Sequence, residues 1–158
     1  SNIEVDVVES TGSDYQLIPG VEIVKDPKVT VTTDVEAWVF LTVEKAGNWP
    51  AGNLVSWEID TTWIELKSAD DNNGVAVYFN KVDNDDEIPV LKGNKVTVSD
   101  DLTQEEMSAM YDENGTPVPG TLKFNAYAIQ FAGFDFAEGA QFTVVTEKAL
   151  AAWNEINK

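Results

Sequence analysis

Cysteine, histidine and arginine are all missing from the 158 residues, and each absence removes a class of chemistry. Without cysteine there is neither a disulfide nor a thiolate, so sulfur chemistry says nothing about redox compartment. Without histidine the Ser-His-Asp and Cys-His nucleophilic arrangements are excluded, together with zinc sites built on imidazole or thiolate. Any enzymology would have to run on carboxylates, lysine, tyrosine or oxygen-bound metals, and the sequence predicts no enzyme. Apolar runs of the roughly 20 residues needed to cross a bilayer are also missing, so direct membrane insertion of this segment is not expected.

What remains is strongly acidic. Twenty-eight Asp and Glu stand against 10 basic residues, giving a formal net charge of -18. Such a surface repels phosphate backbones and anionic lipid headgroups, which makes nucleic acid a poor partner and leaves divalent cations and cationic polymers as better ones. The 43% apolar and 10% aromatic content is that of a globular chain long enough to bury a normal core. Ser1-Asn2 resembles the scar left when a protease removes a tag. Residues 1–2 are therefore set aside, residues 3–158 are read as a single domain, and a signal peptide is expected to have preceded it.

Period-two alternation dominates the chain. Ile3, Val5 and Val7 alternate with Glu4 and Asp6, which predicts a half-buried strand over Ile3–Val8. Residues 11–14 read as a turn, Pro19-Gly20 as another, and a short strand is expected from Val21 to Val24. Val29 and Val31 alternate with threonines. From Val35 to Val43 alternate residues are apolar, while Trp38 and Phe40 occupy the opposite face, so this strand is predicted to be central and covered on both sides. Trp57, Ile59, Trp63, Ile64 and Leu66 suggest strand, turn and strand. The turn cluster Asp70 to Gly74, followed by Val75, Val77 and Phe79, predicts a hairpin. An acidic turn is expected from Asp83 to Glu87 and a short strand at Val96 and Val98. After a break at residues 117–120, a long strand is expected from Leu122 to Phe131.

Two helices complete the pattern. Thr103 with Glu106 forms a capping box for a helix of about two turns. A C-terminal helix is predicted from Glu147 to Asn157, capped by Thr146, with Leu150, Trp153 and Ile156 on one stripe. The small residues Ala126 and Ala128 leave room for bulky partners such as Trp38 or Trp153, and that face is expected to pack the C-terminal helix. Some nine short strands and two small helices predict a mainly β fold, an antiparallel β-sandwich of jelly-roll or immunoglobulin-like type.

Three segments carry a family resemblance. YQLIPGVEIVKDPKVTVTTDVEAWVFLTV from Tyr15 to Val43, VYFNKV…IPVLKG from Val77 to Gly93, and LKFNAYAIQFAGF followed by ALAAWNEI together resemble the TasA/camelysin family of surface and biofilm-matrix proteins. The resemblance implies a jelly-roll-like sandwich, export through a SipW-type signal peptidase, and location at the cell surface or in the extracellular matrix of a Gram-positive-type bacterium. It also implies a structural role in fibres, with self-association or other matrix proteins as partners and, in some members, subunits joined by strand exchange. The camelysin branch has been described as metallopeptidase-like, but this chain holds neither an HExxH motif nor any histidine.

Several groups are candidates for function. Asp70, Asp71 and Asn72 in one turn, and Asp83, Asp85, Asp86 and Glu87 in the other, offer the hard oxygen ligands that calcium takes; the alternative is ordinary turn chemistry with solvated charge. No other cofactor is called for. Trp49, beside Pro50 in a loop, is the candidate platform for a sugar ring, making a carbohydrate-binding or calcium-dependent surface module the alternative to a structural role. Trp38, Trp57 and Trp153 read as core. Glu58 and Glu65 have the acidity a glycosidase pair needs, although among so many acids such a pair arises by chance. Ile3, Val5 and Val7 mark a terminal strand able either to fold back into its own sheet or to add to the open edge of a neighbour.

Overall fold

The computed structural model describes residues 2–11, 17–108, 114–116 and 120–158. Residues 12–14 of the turn expected over 11–14, Tyr15 and Gln16 of the first resemblance segment, residue Ser1, and positions 117–119 of the expected break lie outside them. Among the described residues the fold is mainly β, with ten strands in three antiparallel sheets.

The largest sheet has the order β10 (Thr121–Gln130), β4 (Ala37–Ala46), β7 (Val75–Val82), β6 (Ile64–Lys67). The opposing layer is split into β1 (Ile3–Val8), β3 (Lys28–Thr33) and β8 (Asp86–Pro89) in one sheet, and β2 (Glu22–Val24), β9 (Lys95–Val98) and β5 (Val55–Ser56) in the other. Side chains from all three sheets meet in one core: Val29 and Val31, Val39 and Leu41, Ile88, and Val96. This is the expected sandwich.

β4 explains the layering. Its successive residues point to opposite faces, and the first seven are all buried. Val39 and Leu41 enter the inter-sheet core, whereas Trp38 and Phe40 enter a second cluster on the outer face with Val77, Phe79 and Phe131. That outer cluster is roofed by α2 (Phe142–Ile156) through Ala149, Ala152 and Trp153. The long strand has a dry environment on both sides because a helix covers what the second layer does not.

The same alternation corrects the alanine reading. Ala126 and Ala128 pack toward the inter-sheet core, against which β1 lies, while Tyr127 and Ile129 face the helix layer. Tyr127 meets Trp153 edge-on at 5.5 Å between ring centroids. The helix therefore rests on the bulky face of β10, and the small face receives β1.

Local signals give mixed outcomes for the helices. The capping box of α1 (Gln104–Ser108) forms as expected, with the Thr103 hydroxyl accepting from the Glu106 N–H at 3.2 Å and the Glu106 carboxylate accepting from the Thr103 N–H at 3.0 Å. α2 begins five residues before the predicted start, at Phe142. Thr146 is no cap: it lies inside the helix and its hydroxyl donates to the Thr143 carbonyl at 3.0 Å. On the expected stripe Trp153 is buried and Ile156 half-buried, but Leu150 points outward.

The β6–β7 hairpin is present, and its turn shows why Asn-Gly stands there. Asn73 and Gly74 have φ of 55° and 87°, a left-handed pair that asparagine and glycine tolerate best. The second acidic segment is only partly a turn, because Asp86 and Glu87 belong to β8 and pair with Val31 and Thr30. Between β5 and β6, Ile59 makes a single bridge to Leu91 rather than part of a strand.

Candidate functional site

Ile3, Val5 and Val7 are brought together on the inward face of β1, half-buried against the core, while Glu4, Asp6 and Val8 face solvent. The strand pairs with β3 along its full length, from Ile3 opposite Thr33 to Val8 opposite Lys28. β1 is the end strand of its sheet, so only one of its backbone edges is used in that ladder.

Past β1 the chain is fastened by the segment Lys25-Asp26-Pro27. Lys25, largely buried, pairs with Glu9 at 2.6 Å. The Asp26 carboxylate accepts the Ser10 and Thr11 N–H groups, each at 3.1 Å, and both hydroxyls. Pro27 is fully buried and fixes the entry into β3. Four donors converging on one carboxylate favour its charged form: the Ser10 hydroxyl foremost, then the Thr11 N–H, hold Asp26 below its usual 3.8, at about 2. None of this latch was visible from spacing, because residues 9–11 and 25–26 meet only once β1 and β3 are antiparallel.

The sign of the linkage follows from the lowered pKa. Asp26 contributes stability that is complete above its unfolded value near 3.8 and is lost as pH falls toward about 2. Acid titration of stability in wild type and Asp26→Asn is expected to show that increment only in wild type, with faster amide exchange at Ser10 and Thr11 in the variant. Identical acid limbs would remove Asp26 from the latch.

The two acidic turns do not converge. They cap opposite ends of β7, whose eight residues separate them by roughly 25 Å at about 3.3 Å per residue. Within the first, the Asn72 amide donates to the Val75 carbonyl and the Asp71 N–H donates to the Ser68 hydroxyl. In the second, Asp83 holds Lys81 at 2.8 Å and Asp85 accepts the Thr33 N–H at 2.7 Å. Among the described residues no three acids cluster in a way that could hold a metal ion. Asp70, Asp71 and Asn72 lie in the first turn, Asp83 and Asp85 make the ion pair and the Thr33 contact, and Asp86 and Glu87 lie in β8.

Trp49 is not a free platform. It is half-buried, its indole N–H donates to the Ala46 carbonyl at 2.9 Å, and its ring lies so close to Gly120 that an added Cβ there would stand 2.5 Å from it. Trp57 is half-buried like Trp49, packs against the inter-sheet core and meets Trp49 with centroids 5.4 Å apart. Lys45 sits over both rings, at 5.5 Å and 5.4 Å. Trp38 and Trp153 are buried as expected, and so is Trp63.

Trp57 separates two clefts. One, of about 380 Å³, is walled by Ser56, Glu58, Lys92, Lys95 and Thr97. The other, of about 530 Å³, is walled by Glu44, Lys45, Glu65, Asp70 and Tyr78. Burial, and then Glu65, raise the Tyr78 phenol above its usual pKa, so it stays a neutral donor. Glu58 and Glu65 fall in different clefts, and Glu58 pairs with Lys92 at 3.4 Å, so they form no hydrolytic pair. Sequence reasoning passed over Tyr78 because it sits in an apolar pattern that ordinarily marks the interior. Comparison with family models, with curated proteins and with solved structures finds no match to this chain.

Proposed function

We propose that the protein is an exported, non-enzymatic structural component of a bacterial cell surface or biofilm matrix, akin to the TasA/camelysin family, whose subunits join by exchange of the N-terminal strand. The observation that carries this reading is β1 itself: a six-residue strand beginning at Ile3, apolar on one face, paired on one edge, and anchored at its far end by a separable latch. A strand of that kind makes the same backbone bonds to β3 of its own chain or of a neighbour. Donation in one direction is a head-to-tail contact, and unless the rotation closes into a ring it propagates as a fibre. The net charge of -18 opposes close approach of subunits at low ionic strength, so added salt should speed assembly.

The absence of native cysteine makes a direct test clean. Glu4 and Thr32 are opposite each other in the β1–β3 register and both are exposed. Opposed Cα atoms in an antiparallel pair lie about 4.5–5.5 Å apart, within disulfide range. In Glu4→Cys/Thr32→Cys, oxidation of assembled material should yield a ladder of covalent oligomers on a non-reducing gel, and oxidation of dilute monomer an internal bond. Filaments that release only internally bonded monomer would rule out exchange, and failure of wild type to form filaments at any ionic strength would rule out the fibre role.

A further inference from the structure

β1 lies between two walls: its backbone pairs with β3 along its full length, and Phe124, Ala126 and Ala128 of β10 pack on the same core as its apolar face. Neither wall is particular to this strand, because a free ladder edge beside an apolar strip accepts any extended segment with alternate apolar residues. Selectivity enters where the ladder stops. Pro27 is buried and has no N–H to donate, so beyond the Val8–Lys28 pair side chains take over from backbone bonds.

Lys25 makes the first demand. Its side chain is 8% exposed, its Nζ lies 2.6 Å from Glu9 Oε1 and 5.9 Å from the centre of the Phe124 ring, and among the described residues it pairs with no second carboxylate. A strand without an acid at the place of Glu9 would leave that ammonium buried and uncompensated. Asp26 makes the second demand. It accepts the N–H and hydroxyl groups of Ser10 and Thr11, and its own N–H donates back to the Thr11 hydroxyl at 3.3 Å. The clasp is therefore complete only for a strand followed directly by an acid and two hydroxyl residues, in that order. Pro27 joins Lys25-Asp26 to β3 with a fixed φ, which holds both groups in register with the ladder edge.

We infer that Lys25 and Asp26 select the partner in strand exchange: the groove of one copy takes the N-terminal strand of a second copy of this chain because that strand brings Glu9, Ser10 and Thr11 with it. The inference rests on the exchange reading above, and adds to it the exchanged unit, residues 3–11, and the groups that recognise it. In wild type the same clasp is made within the closed chain and between joined chains. A contact of equal strength in two states shifts no equilibrium, so the clasp excludes strands of other sequence without itself driving assembly. It becomes a driving force only when the closed chain is denied it.

Two full-length variants test this by light scattering and electron microscopy. Glu9→Lys and Lys25→Glu each set like charges together in the closed chain and in any contact between identical copies, whereas mixing them restores a lysine–glutamate pair in both directions of exchange. The equimolar mixture should assemble at about one-tenth of the concentration that wild type or either variant alone requires. Glu9→Lys/Lys25→Glu in one chain should return to wild-type behaviour. Should a melting curve show that Lys25→Glu does not fold, wild type supplies the second measurement. Filaments grown from equal amounts of isotope-labelled and unlabelled chain are treated with a carbodiimide, which joins neighbouring carboxylates and lysines, and mass spectrometry should find Glu9 bonded to Lys25 across the two isotopes. Links confined to chains of one isotope, or a mixture that assembles no better than its components, would overturn selection by the clasp and leave exchange standing. Filaments of Glu4→Cys/Thr32→Cys that release only internally bonded monomer would remove exchange itself, and this inference with it.

Discussion

Replacing Trp38 by alanine is expected to lower stability by about 3–5 kcal/mol, the range for removing a fully buried aromatic. Trp38 has no exposed surface. Its ring centroid lies 5.4 Å from that of Phe131, 5.8 Å from Phe79 and Phe136, and 6.5 Å from Phe40. Its indole N–H donates to the Phe134 carbonyl at 3.2 Å, so the truncation also strands an acceptor at the edge of the cluster. Against a total stability of about 5–15 kcal/mol, typical of single domains, that loss is a large fraction. Urea denaturation would measure it as a shift in midpoint with little change in slope, and Trp38→Phe should recover much of the difference. A loss below about 1 kcal/mol would mean that the outer face of β4 is not a second core.

Deleting residues 3–8 should have a comparable effect on stability and a larger one on association. The deletion opens the full ladder edge of β3 and removes the cover that Ile3, Val5 and Val7 give to the core. Three half-buried aliphatic side chains are worth about 1 kcal/mol each, before backbone bonds are counted. The shortened chain should therefore melt earlier and should bind a synthetic peptide of residues 2–11 saturably. The same peptide with Val5→Asp, which places a charge on the inward face, should fail to bind. Val5 is half-buried against the core and opposite Val31, which is 2% exposed, so a carboxylate there would lose much of its hydration with no polar partner on that face. Native-condition assembly that is unchanged by the deletion would eliminate strand donation.

How far the chain could be read without coordinates depended on whether a signal was local. The two-faced strand at residues 37–46 was legible because Trp38 and Phe40 interrupt no alternation; they fill the second face of it. The capping box at Thr103 and Glu106 was legible because both partners lie within one helical turn. The start of α2 was misplaced because Phe142, Val144 and Val145 have the composition of a strand. Val145 packs into the aromatic layer, and this tertiary contact outweighs a modest propensity.

The candidate site divides along the same line. Ile3, Val5 and Val7 were picked out by period two, and the structure keeps them together on one face. Asp26, Ser10 and Thr11 could not be, because their contact spans 15 or 16 residues and requires the β1–β3 register. Asp70 and Asp83 looked equivalent in composition, yet an intervening strand holds them at opposite ends of the sandwich.

By itself the sequence determined the class of molecule: a strongly acidic, antiparallel β domain without thiol, imidazole or guanidinium, since composition and alternation are properties each residue carries with it. Tertiary structure alone decided which face of β10 the helix covers, that Gly120 makes room for the ring of Trp49, and that Lys25-Asp26 clasps the end of β1. Those outcomes turn on register and on contacts between residues far apart in the chain, where a shift of one position exchanges the buried and exposed faces of a strand.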